Sequence, residues 1–365
     1  MDGMDTRHET EVVVIGAGQA GLSSAYHLRR SGFASWSGYV VLDAADAPGG
    51  AWTHRPPTLT MDKVHGIFDL PGARFGPDGI DGSLPAAQVV PEYFAEYERR
   101  LELPVHRPVK VLSVRPAPSD RLLVSTTVGR WAARAVVNAT GTWTRPYWPY
   151  YPGAEAFRGR QLHSAGYRGP AEFVGRHVVV VGGGTSAIQV LSEAADVAAS
   201  TLWVTRRPPE FHDHEFTPDV GRAAVARVEE RVRAGLPPQS VVGATGLGYT
   251  PVVLDALAKG ALHRLPMFDR LTADGVVWND GRSERADVIV WATGFRAALE
   301  HLAPLGLRER GGGIRMDGTR VVAEPRLHLV GYGPSASTVG ANRAGRSAVR
   351  EIRRLLDGSR ASSAA

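Results

Sequence analysis

Twice in this chain a run of four apolar, mostly β-branched residues leads straight into a glycine-rich turn and then into a helical stretch. Val12 to Ile15 precedes Gly16-Ala17-Gly18-Gln19-Ala20-Gly21, and Val178 to Val181 precedes Gly182-Gly183-Gly184-Thr185-Ser186-Ala187. In a strand–turn–helix unit of this spacing, the first glycine makes the turn and the second lets a pyrophosphate approach the backbone. The third position must be small so that helix and strand can pack closely. The helix N-terminus then presents free N–H groups and a favourable dipole to phosphate. The pattern predicts an α/β protein with two Rossmann-like dinucleotide-binding units. Contacts to the dinucleotides are expected from Gly16, Gly18, Gln19, Ala20 and Gly21 in the first turn, and from Gly182, Gly184, Thr185 and Ser186 in the second.

The residues that end the second strand of each unit differ. In the first unit Val40-Val41-Leu42 ends in Asp43, a carboxylate placed to accept ribose hydroxyls. In the second, Val204 is followed by Thr205-Arg206-Arg207. A carboxylate there would repel a 2′-phosphate, whereas guanidinium groups bind one through charge-assisted hydrogen bonds. Arg206 and Arg207 therefore favour NADPH over NADH, the alternative being a surface arginine pair. The first unit is then assigned FAD, and the chain reads as a flavin-linked reductase of some kind.

Composition narrows the chemistry further. The 365 residues hold no cysteine, which excludes structural disulfides and a Cys-x-x-Cys redox pair. The net charge of +5 is spread along the chain, and no nucleic-acid motif accompanies it. No apolar stretch approaches the roughly 18 residues of a membrane span, and Met1 to Thr10 is polar, so a cytoplasmic location is expected. Phe211-His212-Asp213-His214-Glu215 has the residue types of a metal site, but it stands in a loop without a further cluster and is read as solvent-exposed; no metal is expected. The oligomeric state is left open.

The remaining pattern gives a nested layout. Pro48 to about Pro85 is Pro/Gly-punctuated and reads as loops near the cofactor. A helix is expected from Pro91 to Leu101, strands at 109–114, 121–127 and 131–138, a helix at 219–233, a closing strand at 288–291, and a terminal helix from Gly340 to Leu356. Residues 1–155 and 295–365 then form the FAD domain, with the NADPH domain, 156–294, inserted into it. Within the insert, 208–270 exceeds what a nucleotide fold requires and is the expected source of substrate contacts, at a comparatively open interdomain cleft.

Between the two turns lies Phe157-x-Gly159-x-x-x-His163-x-x-x-Tyr167. This segment resembles the fingerprint of the class B flavoprotein monooxygenases, the group that includes the flavin-containing monooxygenases. Gly49-Gly50-x-Trp52, Ala139-Thr140-Gly141, Trp291-Ala292-Thr293-Gly294-Phe295 and Gly331-Tyr332-Gly333 agree with the same family. The resemblance covers the chain from Val12 to about Arg350. It adds Gly50, Trp52, Val111, Thr140, Gly141, Thr293 and Gly294 to the expected cofactor contacts. It implies that NADPH reduces FAD, that O2 then forms a flavin C4a-hydroperoxide shielded by NADP+, and that a small nucleophile takes one oxygen atom. Tyr167-Arg168 replaces the Trp that closes the fingerprint in the Baeyer–Villiger branch, which tilts the substrate toward nitrogen or sulfur. Family members carry an Asn after Gly-Gly-x-Trp; here Asp62 falls at that place, with Lys63 beside it, and these two are the catalytic candidates. Ser337, Thr338 and Val339, opening the last helix, would bring N–H groups to the flavin N1–O2 edge; an ordinary helix cap is compatible with the same residues. An electron-transfer reductase serving a protein such as a ferredoxin explains the two turns but not the fingerprint. A flavin-binding protein without turnover is a third reading, against which Arg206 and Arg207 argue.

Overall fold

The structure, a computed structural model, describes residues 7–64, 67–76, 79–212, 218–239 and 246–363. Both apolar runs are central parallel strands. Arg7–Ile15 (β1) pairs in parallel with Tyr39–Leu42 (β2) on one side and Arg130–Asn138 (β6) on the other, and Gln19–Arg30 (α1) is the crossover helix. His177–Val181 (β8) likewise lies between Ser200–Thr205 (β9) and Val288–Trp291 (β16), with Thr185–Ala194 (α3) following the turn. A strand flanked on both sides and covered on both faces must be apolar throughout, and Val12 to Ile15 and Val178 to Val181 are at most 4% exposed.

The first sheet has nine strands. Val105–His106 (β3) extends β2, while Val111–Ala117 (β4) and Arg121–Thr126 (β5) form a hairpin on β6. On the far side, Glu324–Leu329 (β19) pairs in parallel with β6 and carries the short Arg320–Val321 (β18) and Met316–Asp317 (β17). Strand periodicity divides the core. Val12 and Val14 face α1, Ala86–Arg100 (α2) and the last helix, Thr338–Ser363 (α6); Val13 and Ile15 face the β4–β5 hairpin and β19. Helix α6 lies directly on α1, close enough that a Cβ on Gly345 would sit 2.8 Å from the Ser23 hydroxyl.

The second sheet has five parallel strands, in the order Arg264–Pro266 (β12), β9, β8, β16 and Arg160–His163 (β7). One face packs on α3 and Pro251–Ala258 (α5). The other packs on an antiparallel meander of Arg270–Leu271 (β13), Gly275–Val277 (β14) and Ser283–Arg285 (β15), where Trp291 meets Phe268 and Trp278. Phe211–His212 (β10) and Leu247–Gly248 (β11) form a two-stranded pair, and Pro218–Arg233 (α4) lies between them in sequence. The first sheet draws its strands from 7–138 and 316–329, the second from 160–291. No helix of the described residues is long and apolar enough to cross a membrane.

Three expectations are corrected. Helix α2 begins at Ala86, and Pro91 lies inside it; Val90, Phe94 and Tyr97, buried at helical spacing, hold it against the first core. Strand β7 and the meander were not foreseen. The stretch 208–270 is partly nucleotide fold, because β12 extends the second sheet and α5 covers α3. Asp213, His214 and Glu215 lie outside the described residues, and among the described residues no cluster could hold a metal.

Candidate cofactor sites and the cleft between them

Both glycine turns have the geometry that a pyrophosphate requires. Gly16 and Gly182 have positive φ, +99° and +147°, and a Cβ on them would meet the carbonyl oxygens of Ala139 at 2.7 Å and Ala292 at 2.2 Å. Those two alanines open the paired Ala-Thr-Gly segments, so each turn is seated on the end of the neighbouring parallel strand. Gly18 and Gly184 are extended N-caps of α1 and α3, and a Cβ on either would meet nothing within 4 Å. Neither helix has a side-chain cap or an acidic residue in its first turn. Two N-termini with free N–H groups and open space in front of them fit the phosphates of two dinucleotides.

Around the first turn, Ala20 is buried and Gln19 donates to Asn342 Oδ1 at 2.9 Å, while its own Oε1 is buried without a partner. Gly50, with φ +54°, leans on Gly18: its Cβ position is 3.0 Å from the Gly18 Cα. Trp52 packs on the first core, and Val111 packs half-buried on the opposite one. Thr140 donates to the Ala298 carbonyl at 2.7 Å and accepts from Asn138, whose Oδ1 faces His301 at 2.7 Å. Burial pushes His301 down to about 4, so it is neutral. Gly141, with φ +62°, has open space at its Cβ position. Asp43 stands at the end of β2, but it is not free. Arg107 donates to it at 3.0 Å and binds Glu98 through two bonds of 2.7 Å, all three side chains being at most 12% exposed. Ser337 accepts from the Gly340 N–H at 3.0 Å, which makes it a helix cap, and Thr338 and Val339 follow it on α6.

Around the second turn, Trp203 Nε1 donates to the Gly182 carbonyl at 2.7 Å. Thr205 is buried and accepts from Arg264 Nε at 2.7 Å. Arg206 and Arg207 are exposed, and neither has a carboxylate partner among the described residues. Thr293 donates to the Tyr147 carbonyl, and Gly294 has φ +78°.

The fingerprint between the turns is a brace. The Phe157 ring folds over Gly159, where a Cβ would meet it at 2.3 Å and the Asp287 carbonyl at 2.6 Å. His163, at the end of β7, accepts from the Ala165 N–H at Nδ1 and donates from Nε2 to the Gly294 carbonyl, at 3.1 and 3.0 Å. Burial lowers its pKa, and the two bonds fix the neutral Nε2–H tautomer. The buried Tyr167 hydroxyl donates to Glu193 on α3 at 2.7 Å, and its ring stacks on Phe173. Arg168 reaches the His54 carbonyl at 3.2 Å. Sequence spacing marked these residues; their tie to α3 and to the second Ala-Thr-Gly segment required the fold.

A cavity of about 30 Å³ lies where these parts meet, lined by Arg55, Pro56, Leu59, Trp143, Ser164, Tyr167, Ser186, Gln189, Val190 and Phe295. That is room for about one water, and two of its lining residues, Trp143 and Phe295, stack at 5.0 Å. None of the lining comes from 208–270. Asp62 and Lys63 lie on a short 3₁₀ turn, both exposed. Asp62 accepts from the Thr60 hydroxyl, and Lys63 donates to the Thr58 carbonyl at 3.3 Å. Their side-chain bonds are thus local, and the cavity is instead reached by Arg55, which sequence reading passed over.

Two phosphate-ready turns, a brace between them and no cysteine define a flavoprotein oxidoreductase of the two-dinucleotide class. The profile of the pyridine nucleotide-disulphide oxidoreductase family matches residues 13–240. A double-substituted form of the flavin monooxygenase from Stenotrophomonas maltophilia is 39% identical, with a TM-score of 0.81 over 96% of this chain and 99% of its own. The chain belongs to this family, within the class B flavoprotein monooxygenases. An oxidoreductase of Geobacillus kaustophilus described as uncharacterized and CzcO-like is 24% identical over 79% of this chain and 81% of its own. A mutant cyclohexanone monooxygenase from Rhodococcus sp. Phi1, bound to NADP+, shares the fold at 18% identity, with a TM-score of 0.64 over 97% of this chain and 86% of its own.

Proposed function

We propose that the chain is an FAD- and NADPH-dependent monooxygenase that inserts one oxygen atom of O2 into a small nucleophilic substrate, at nitrogen or sulfur rather than at a ketone. The observation that carries this reading is the fingerprint brace, which couples the end of β7 to both α3 and the second Ala-Thr-Gly segment. Bound flavin, once reduced by the nicotinamide, supplies the electrons that activate O2.

The chain's own residues bind, orient and exclude water. The N–H groups of α1, with Gly16, Gly18 and Gly21, would hold the FAD pyrophosphate. Asp43, oriented by Arg107, accepts ribose hydroxyls with its remaining lone pairs. The N-terminus of α3 holds the NADPH pyrophosphate, and Arg206 and Arg207 take the 2′-phosphate. His163 stays neutral and would lock the second Ala-Thr-Gly segment of the NADPH unit through Gly294. Trp143 and Phe295, stacked beside the cavity, would limit the access of bulk water to it. Residues 1–155 with 295–365 form the FAD unit and 156–294 the NADPH unit. Among the described residues the cavity lining holds no His, Asp or Glu, which suits oxygen transfer to a soft nucleophile, a reaction that needs positioning more than proton chemistry.

The test is steady-state coupling with FAD-loaded enzyme, NADPH and thioanisole. Sulfoxide formed in proportion to NADPH consumed is the expected result. Stoichiometric peroxide with no sulfoxide, together with rapid reduction of an added ferredoxin, would reassign the chain to electron transfer.

A further inference from the structure

The exposed pair Arg206 and Arg207 is tied from below to a buried threonine and a third arginine. Arg264 stands on the edge strand β12, in register with Trp203 of β9. Its side chain runs further, toward the carboxyl ends of the strands. There its Nε donates to the Thr205 hydroxyl at 2.7 Å, and its Nη2 reaches the Thr205 carbonyl at 3.4 Å. The same hydroxyl donates to the Arg207 carbonyl at 2.7 Å. A hydroxyl has one proton, so the bonds run in one direction, from Arg264 through Thr205 to Arg207. Thr205 also borders the glycine turn: a Cβ on Gly183 would lie 3.8 Å from its methyl and 3.2 Å from the Pro209 ring. Trp203 and Thr205 share one face of β9, and Trp203 bonds the Gly182 carbonyl. One face of this strand thus holds the glycine turn through Trp203 and the arginine turn through Thr205.

We infer that Thr205 and Arg264 are positioning residues for nucleotide selectivity: their hydrogen-bond relay fixes the backbone at 206–207 so that both guanidinium groups meet a 2′-phosphate. This rests on the NADPH reading above. Two exposed arginines on a loose loop would lose backbone and side-chain freedom on binding, and that cost subtracts from affinity. A bond at the Arg207 carbonyl removes part of the cost in advance. Pro208 and Pro209 follow directly and restrict their own φ, so this bond acts on the freedom that remains. The first link is charge-assisted and therefore stronger than a bond between neutral groups.

The probes are 2′,5′-ADP and 5′-AMP, which differ only in the 2′-phosphate, with affinities measured by titration calorimetry on FAD-loaded protein. The wild type is expected to favour 2′,5′-ADP by about tenfold or more. Thr205→Val leaves every charge in place but cuts the relay, and should lower that ratio by about three- to tenfold. Thr205→Ser, which keeps the hydroxyl, should retain the ratio. Arg264→Met should lower it, and the double variant Thr205→Val with Arg264→Met should lose no more than the larger single loss. An unchanged ratio in Thr205→Val overturns the inference, since Arg264 would then act by charge alone or not at all. Losses that multiply in the double variant overturn it as well, and so does equal weakening of both probes, which marks a merely structural role. A wild-type ratio near one, or a full ratio in the variant with Arg206 and Arg207 both replaced by Ala, removes the 2′-phosphate reading itself and the relay with it.

Discussion

At Gly21 a Cβ would lie 1.8 Å from the Gly16 carbonyl oxygen, whereas the matching position of the second turn already carries a methyl group, at the fully buried Ala187. The ends of the neighbouring strands differ just as sharply. Asp43 is held in a buried Arg107–Glu98 network, while Arg206 and Arg207 stand exposed with no carboxylate partner among the described residues. The first turn is thus tight and electrostatically closed, suited to a cofactor that stays. The second is looser and ends in two exposed arginines, which under the proposed function suits a charged cofactor that binds and leaves.

The most severe way to probe this contrast is to exchange the third residues. Gly21→Ala should destabilise by about 4 kcal/mol or more, because backbone must move, and give insoluble or flavin-free protein on purification. Ala187→Gly should cost only about 1 kcal/mol, read from thermal unfolding. Nearly as large is Arg107→Ala, which leaves Asp43 and Glu98 buried without their cation, at about 3 to 5 kcal/mol. By contrast, replacing Arg206 and Arg207 with Ala should change stability by no more than about 0.5 kcal/mol. The double variant should nevertheless weaken NADPH by about tenfold or more while barely altering NADH; equal losses of the two would remove the 2′-phosphate assignment.

Acid gives a smaller effect. His301 supports the first Ala-Thr-Gly segment and His163 the second, and burial lowers the pKa of both. The unfolded chain therefore takes up these protons first. Stability is complete above about pH 6.5 and declines toward pH 4, the value to which His301 is lowered. Melting temperatures across that window should fall with acidification, and His301→Gln should flatten part of the slope. A wild-type profile that is flat from pH 7 to 4.5 would exclude these histidines as buried neutral groups.

Much of this was legible in sequence, for physical reasons. A central parallel strand must be apolar along its whole length, so β1 and β8 announced themselves, and the glycine spacing marked both turns. The places of Asp43 after β2 and of Arg206 and Arg207 after β9 were legible from position alone. Strand β7 was not, because Arg160-Gln161-Leu162-His163 is a sheet edge with mixed polarity and lacks an alternating or continuous apolar signal. Nor was α2 read to its start, since a proline such as Pro91 normally ends a helix. Arg55 was invisible for a deeper reason: its buried Nε, without a hydrogen-bond partner among the described residues, is a property of the folded chain alone. Asp62 and Lys63 were placed by alignment to a family position, and in the fold their side chains bond Thr60 and Thr58.

Under the proposed function oxygen, rather than a protein, receives the electrons that pass between the two turns. The direct measurement is mass spectrometry of the sulfoxide formed from thioanisole by FAD-loaded enzyme and NADPH under ¹⁸O₂. The account predicts one ¹⁸O atom in each product molecule. Unlabelled sulfoxide, or NADPH oxidation that ends wholly in labelled peroxide, would contradict it.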